Sequence, residues 1–153
     1  MASLDPKFHD DTITIHREHE ELMAQLDQLD AALEQMVCYA EVFTDLATAN
    51  QAASHGKWMA EWLPRHYAHE ETTVLETIAR MSPELASFAR EMKRQHRVMR
   101  VRLESLRDML AHLSESRDLE SAVNDVKKDG REFTRMMRLH MATEDKKFAG
   151  LEN

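Results

Sequence analysis

The sequence predicts an all-α protein, an up-down-up-down antiparallel four-helix bundle. Three observations carry that prediction. Apolar residues recur at alternating spacings of four and three along nearly the whole chain, the period of one buried helical face. Glycine and proline number only three each in 153 residues, too few for the many turns of an all-β fold. The periodicity breaks at three places, leaving four long segments with short connections, the pattern of antiparallel neighbours. A chain of this length suits one domain with one core, so residues 1–153 are read as a single unit.

The first helix is expected over 11–39. Asp10, Asp11 and Thr12 form an N-cap cluster, and Ile15, Leu22, Leu26, Leu29, Leu33 and Met36 make an apolar stripe with one gap, at position 19. No Gly or Pro falls between 31 and 51, so the next turn is placed only loosely, near 39–44. The second helix is expected over 45–81. Its inward series is Leu46, Ala49, Ala53, Ala60, Leu63, Val74 and Ile78, and Pro64 should kink it or mark a break. Ser82-Pro83-Glu84 opens the third helix, 83–113, because serine caps and proline suits the first turn. That helix reads Leu85, Phe88, Met92, Met99, Leu103, Leu106, Leu110 and Leu113, with a gap at 96. A polar loop at 114–117 leads to the fourth helix, 118–148, with Leu119, Val123, Val126, Phe133, Met137 and Phe148. Gly130 within it either weakens the helix or permits close packing.

The gaps carry the chemistry. Position 19 is histidine and position 96 is histidine. The second stripe continues from Leu63 through His66 and Glu70, and the fourth from Met137 through His140 and Glu144. Six ionisable residues thus stand where leucine should. An unpartnered buried carboxylate is strongly disfavoured, and buried polar groups must bond to something. A lone histidine on an apolar stripe is commonly satisfied by a backbone carbonyl. Counted at about 1.5 Å per residue, all six fall in one half of the bundle, and four imidazoles and two carboxylates converging there suit a cation better than they suit one another. Each His-x-x-x-Glu pair puts both side chains on one face, a turn apart, so a histidine can bind one metal while the glutamate reaches a second. The donor set fits iron, manganese or zinc. His16 and His69 are further ligand candidates, placed in the first instance beside the ligands or at the surface. His9, His55 and His112 are expected at the surface. Tyr67, Glu71 and Asp145 adjoin the candidate ligands and are placed to orient them.

Composition narrows the function classes. Net charge is −8 with histidines neutral, which argues against a nucleic-acid binder and against an electrostatic membrane anchor. No apolar run reaches the ~20 residues of a membrane helix. The segment 1–11 is polar and acidic, without the features of a signal peptide, and Cys38 is the single cysteine. A cytoplasmic setting is therefore expected. The eleven methionines read as adaptable core filler.

With these residues in place, the chain resembles the hemerythrin-like HHE cation-binding domain family. The resemblance rests on His19 in His-Arg-Glu-His-Glu-Glu-Leu, His66-Tyr-Ala-His-Glu70-Glu71, His96 in Arg-Gln-His-Arg-Val-Met, and His140-Met-Ala-Thr-Glu144. It implies two iron ions, oxo- or hydroxo-bridged, with bridging carboxylates from Glu70 and Glu144 and terminal His19, His66, His96 and His140. It further implies a small diatomic ligand or peroxide as partner, and a monomer or weak homodimer. Oxygen carriers of this kind show a His-x-x-x-His pair on the third helix and a His-x-x-x-x-Asp pair on the fourth. Here Met92 and Arg100 flank His96, and Glu144 continues the fourth stripe. The expected function is therefore reaction with peroxide, nitric oxide or oxygen, in stress defence or iron handling, and the alternative is non-catalytic binding or sensing of oxygen or iron. Ferritin-like bundles place Glu-x-x-His on two helices, a spacing this sequence lacks.

Overall fold

A computed structural model describes residues 4–36 and 46–152. Five α-helices account for most of them: α1 (Pro6–Gln35), α2 (Leu46–Thr72), α3 (Val74–Ala79), α4 (Pro83–Ala111) and α5 (Leu119–Glu152), with a short 3₁₀ turn at Leu113–Glu115. There is no strand among the described residues. α2 and α3 together form the second rod of a four-rod bundle. α1 packs on α2 and α5, and α4 packs on α2 and α5, so each long helix touches two neighbours around a square. No helix among the described residues is long and apolar enough to cross a membrane.

The helix limits differ from the sequence expectation in instructive ways. α1 begins five residues earlier than the expected 11, because Asp5 accepts from the Lys7 amide at 2.9 Å and Pro6 occupies the first helical position. The expected cap cluster at 10–12 lies inside the helix, and Thr12 instead donates to the His9 carbonyl and to Glu152. The expected turn near 39–44 lies outside the described residues. Helix α2 runs through Pro64 unbroken; the break falls at Thr73, whose φ and ψ are −115° and −85°. There the Thr72 hydroxyl donates to the Ala68 carbonyl at 2.7 Å and the Thr73 hydroxyl to the His69 carbonyl at 2.7 Å, side-chain bonds back onto the preceding turn of the kind that bends helices. Ser82 caps α4 as expected, accepting from the Leu85 amide at 3.1 Å. α4 ends at Ala111, leaving Leu113 in the 3₁₀ turn, and α5 extends to Glu152.

The apolar stripes of α1, α4 and α5 are largely buried as read. In the first half of α2 the buried hydrophobic side chains among the described residues are Ala49, Ala52 and Met59, while Ala53 and Ala60 are half-exposed and the side chain of Leu46, expected inward, lies outside those described. Several alanines on adjacent faces give hydropathy little to choose between, and the large Met59 decides the inward side. Gly130 of α5 is a close-approach residue: a Cβ there would run into Cδ1 of Leu33 on α1.

The core is in two parts. The larger includes Leu22, Leu29, Leu63, Leu103, Phe133 and Met137. The smaller includes Phe8, Ile15, Val74, Ile78, Met92 and Phe148. Along every long helix the break between them falls at the polar positions 19, 66–70, 96 and 140–144. A single polar layer therefore crosses the bundle between two apolar cores.

Candidate metal centre

The helical period brings the six stripe residues to that layer. His19, His66, Glu70, His96, His140 and Glu144 are all 3% exposed or less. Their inward atoms converge. His19 Nε2 lies 3.4 Å from Glu70 and 3.5 Å from Glu144; His66 Nε2 lies 3.5 Å from Glu70. His96 Nε2 is 3.0 Å from Glu70, His140 Nε2 is 2.8 Å from Glu144, and the two Nε2 atoms of His96 and His140 are 3.1 Å apart.

The outward ring nitrogens are bonded in a closed ring. His66 Nδ1 meets Glu18 of α1 at 2.9 Å, and His96 Nδ1 meets Glu71 of α2 at 3.2 Å. His140 Nδ1 meets Gln95 Oε1 of α4 at 2.8 Å, and His19 Nδ1 meets Asp145 of α5 at 2.8 Å. Every helix thus holds the histidine of the next. Glu71 and Asp145 are orienting residues as the sequence suggested. Glu18 and Gln95 were missed; each stands immediately before a stripe histidine, which is the signal that would have found them. Tyr67 acts differently, stacking its ring on His96 at 3.9 Å while its hydroxyl turns to the Met137 sulfur.

These four outer partners present oxygen acceptors, so each Nδ1 must carry the proton and donate it. Each neutral imidazole then points a lone pair inward. In that neutral, metal-free state the interior holds four such nitrogens and two carboxylates with no donor among them, so a proton or a metal ion must lie between them. Consistent with this, Nε2 of His19 and all four oxygens of Glu70 and Glu144 are buried without a hydrogen bond, although several pairs lie within ion-pair distance. Short contacts between acceptors are repulsive unless a cation lies among them. The donor set and its orphaned atoms fit metal ions.

Protons are the other cations such a layer can take. Burial pulls His19 down, but its bond to Asp145 and the nearby Glu70 and Glu144 carry it to about 10. Burial likewise opposes protonation of His96, and Glu144 and Glu70 lift it to about 9. Burial and the charge of His96 drive His140 down to about 3. Burial and the Glu70 charge raise Glu144 well above the carboxylate range. Glu70 is held well below that range, against burial, by the adjoining Glu144, His19 and His96.

Two groups of donors come close enough to share an ion: His19, His66 and Glu70, and Glu70, His96, His140 and Glu144. Glu70 belongs to both. His16 and His69 belong to neither. His16 is 59% exposed and faces Asp145 and Glu20; His69 faces Glu18 at 3.4 Å. They neighbour the orienting carboxylates and do not enter the layer. His9 and His112 are exposed, and His55 is half-buried against Gln25.

Comparison with known proteins agrees with this geometry. The family model described as the hemerythrin HHE cation binding domain matches residues 10–151. No curated protein and no solved structure matches the chain.

Proposed function

This chain belongs to the hemerythrin HHE cation-binding family, and from that premise we propose that its polar layer holds two iron ions and reacts with peroxide, nitric oxide or oxygen. The observation that carries the reading is the convergence of four buried imidazoles and two buried carboxylates in one layer, where five inward atoms have no hydrogen-bond partner. His19 and His66 would bind one ion and His96 and His140 the other, each through Nε2. Glu70, common to both donor groups, and Glu144, within reach of His19 and His140, would span the pair. Iron held there supplies one-electron redox steps and coordination positions open to a small ligand.

The chain's own residues do the rest. Glu18, Glu71, Gln95 and Asp145 fix the four imidazoles in the tautomer that presents a lone pair inward. The two cores above and below the layer exclude bulk water. Six protein ligands for two ions leave positions free, which separates a reactive site from a closed structural one. A His-x-x-x-x-Asp spacing does exist in α5, from His140 to Asp145. Asp145 is turned outward to His19, however, and Glu144, fully buried, takes the inward place. Met92 is buried one turn before His96, so α4 offers a single histidine to the layer. The two ions would accordingly have similar ligand sets, without the asymmetry that suits reversible oxygen carriage.

The test is metal analysis with an optical spectrum of protein produced with iron, before and after peroxide and oxygen. We expect near two irons per chain and faster reaction with peroxide than formation of a stable oxygen adduct. One ion per chain, or zinc alone, would defeat the di-iron reading. A long-lived reversible oxygen complex with negligible peroxide consumption would replace reaction by binding.

A further inference from the structure

Two aromatic stacks leave the polar layer, and they end differently. On the α4 side Tyr67 lies on His96, is 3% exposed, and has its hydroxyl bonded to the buried Met137 sulfur. That stack is a dead end. On the α2 side Trp62 lies on His66 with ring centroids 4.9 Å apart and planes within 16°. Trp58 lies on Trp62 at 5.3 Å and 18°. Both tryptophans are half-exposed. The three residues are spaced four apart on one face of α2, so a regular helix holds them as a continuous pile of π-systems. It runs from a candidate ligand to solvent.

We propose that Trp62 and Trp58 form an exit route by which oxidising equivalents leave the metal centre for a dissolved one-electron reductant. This rests on the iron and peroxide reading above. Hydrogen peroxide takes two electrons and two protons to become two waters, and the electrons come from the metal centre. Where the centre lacks an electron, one passes to it from the Trp62 indole, by way of the stacked His66 ring. Trp62 is left as a cation radical that keeps its N–H proton. Trp58 refills it, and a donor of the ascorbate class refills Trp58 and departs as its own one-electron oxidised radical. Per hole, the centre gains one electron and the donor loses one; no bond in the protein breaks. Indole is among the most readily oxidised side chains, and here it offers the hole a path away from oxidisable residues of the interior. Those are Tyr67, Met99 and Met137, all 3% exposed or less.

The test is mass-spectrometric mapping of oxidised side chains in the iron-loaded full chain after hydrogen peroxide, with and without ascorbate. Zinc-loaded protein is the control, and freeze-quench electron paramagnetic resonance is the second readout. We expect an indole radical signal, and oxidation at Trp62 and Trp58 several-fold above the zinc form, both suppressed by ascorbate. Exposed Met81, at 44%, should be oxidised equally in the two metal forms. Trp62→Phe should move damage inward to Tyr67, Met137 and Met99. Trp62→Tyr, which keeps an oxidisable ring of similar bulk, should partly reverse that. Trp58→Phe should trap modification on Trp62. Equal indole oxidation with zinc, or an unchanged map in Trp62→Phe and Trp58→Phe, would overturn the route. Without ascorbate, peroxide consumed with both tryptophans unmodified and no radical would overturn the route alone. Peroxide left unconsumed by the iron form would overturn the route together with the reading it rests on.

Discussion

One ring nitrogen of each buried histidine is committed to an oxygen on the adjacent helix, so the other is aimed before any metal arrives. Removing an orienting group should loosen the aim without removing a ligand. Asp145→Ala and Glu18→Ala are expected to weaken metal binding by about 10–100-fold, the usual range for such partners, while helicity persists. Metal titration of each variant beside circular dichroism checks both halves of that statement. His66→Ala and Glu144→Ala should each lose metal outright, whereas His112→Ala, exposed and with its ring bonded to the Asp108 carbonyl away from the layer, should keep it. Equal metal content across those three variants would contradict the placement of the centre. The convergence of the six buried residues was legible in the sequence because each interrupts an apolar stripe at its own position. Glu18 and Gln95 were not: they precede lone stripe histidines, whereas Glu71 and Asp145 stand out beside the His-x-x-x-Glu pairs. Glu18 in particular reads as one more member of the solvated acidic run with Glu20 and Glu21.

At the scale of the helices, the close approach of α5 to α1 at Gly130 makes a specific demand. Gly130→Ala would gain about 1 kcal/mol of helix propensity. It would also drive a methyl group into Leu33, which is fully buried, and overpacking of that kind costs about 1–3 kcal/mol. The net expectation is a destabilisation of about 1 kcal/mol, read from urea unfolding midpoints. A more stable variant would mean that Leu33 can step aside. The same two helices show where sequence reading of elements succeeds and fails. Apart from His19, the α1 stripe read from Ile15 to Met36 consists of large apolar residues, and each of those is fully buried. The start of α1 was misplaced because two cap signals compete, and Asp5 followed by Pro6 outweighs the later cluster at 10–12. The interruption at Thr73 carries no Gly or Pro. It coincides with two adjacent threonine hydroxyls bonded back to the Ala68 and His69 carbonyls, which no periodicity records.

For the molecule as a whole, the layer couples metal, protons and stability. His19 and His96 have folded-state pKa values of about 10 and about 9, above the unfolded value near 6.5. A raised value means that the protonated form favours folding. In the metal-free protein that contribution is complete below pH 6.5 and is lost as pH rises through 9 to 10. Metal ions replace these protons, so loaded protein should be insensitive over that window, and metal affinity should fall as pH falls. Thermal unfolding of both forms at pH 7 and pH 10 is the check: removal of metal should lower Tm at both, and by more at pH 10. Identical Tm values with and without metal would be incompatible with a buried centre. The ring of histidine bonds has one more property, a sense of circulation. A residue next to a ligand is turned by about 100° from it, and the direction of that turn reverses when a helix runs the other way. To point always toward the next rod, the partner must precede the ligand in one direction and follow it in the other. The chain does so: Glu18 before His19, Glu71 after Glu70, Gln95 before His96, Asp145 after Glu144. This before-after-before-after order is a compass written in single residues. It records which rods run up and which run down, something the apolar stripes, alike in either direction, cannot tell.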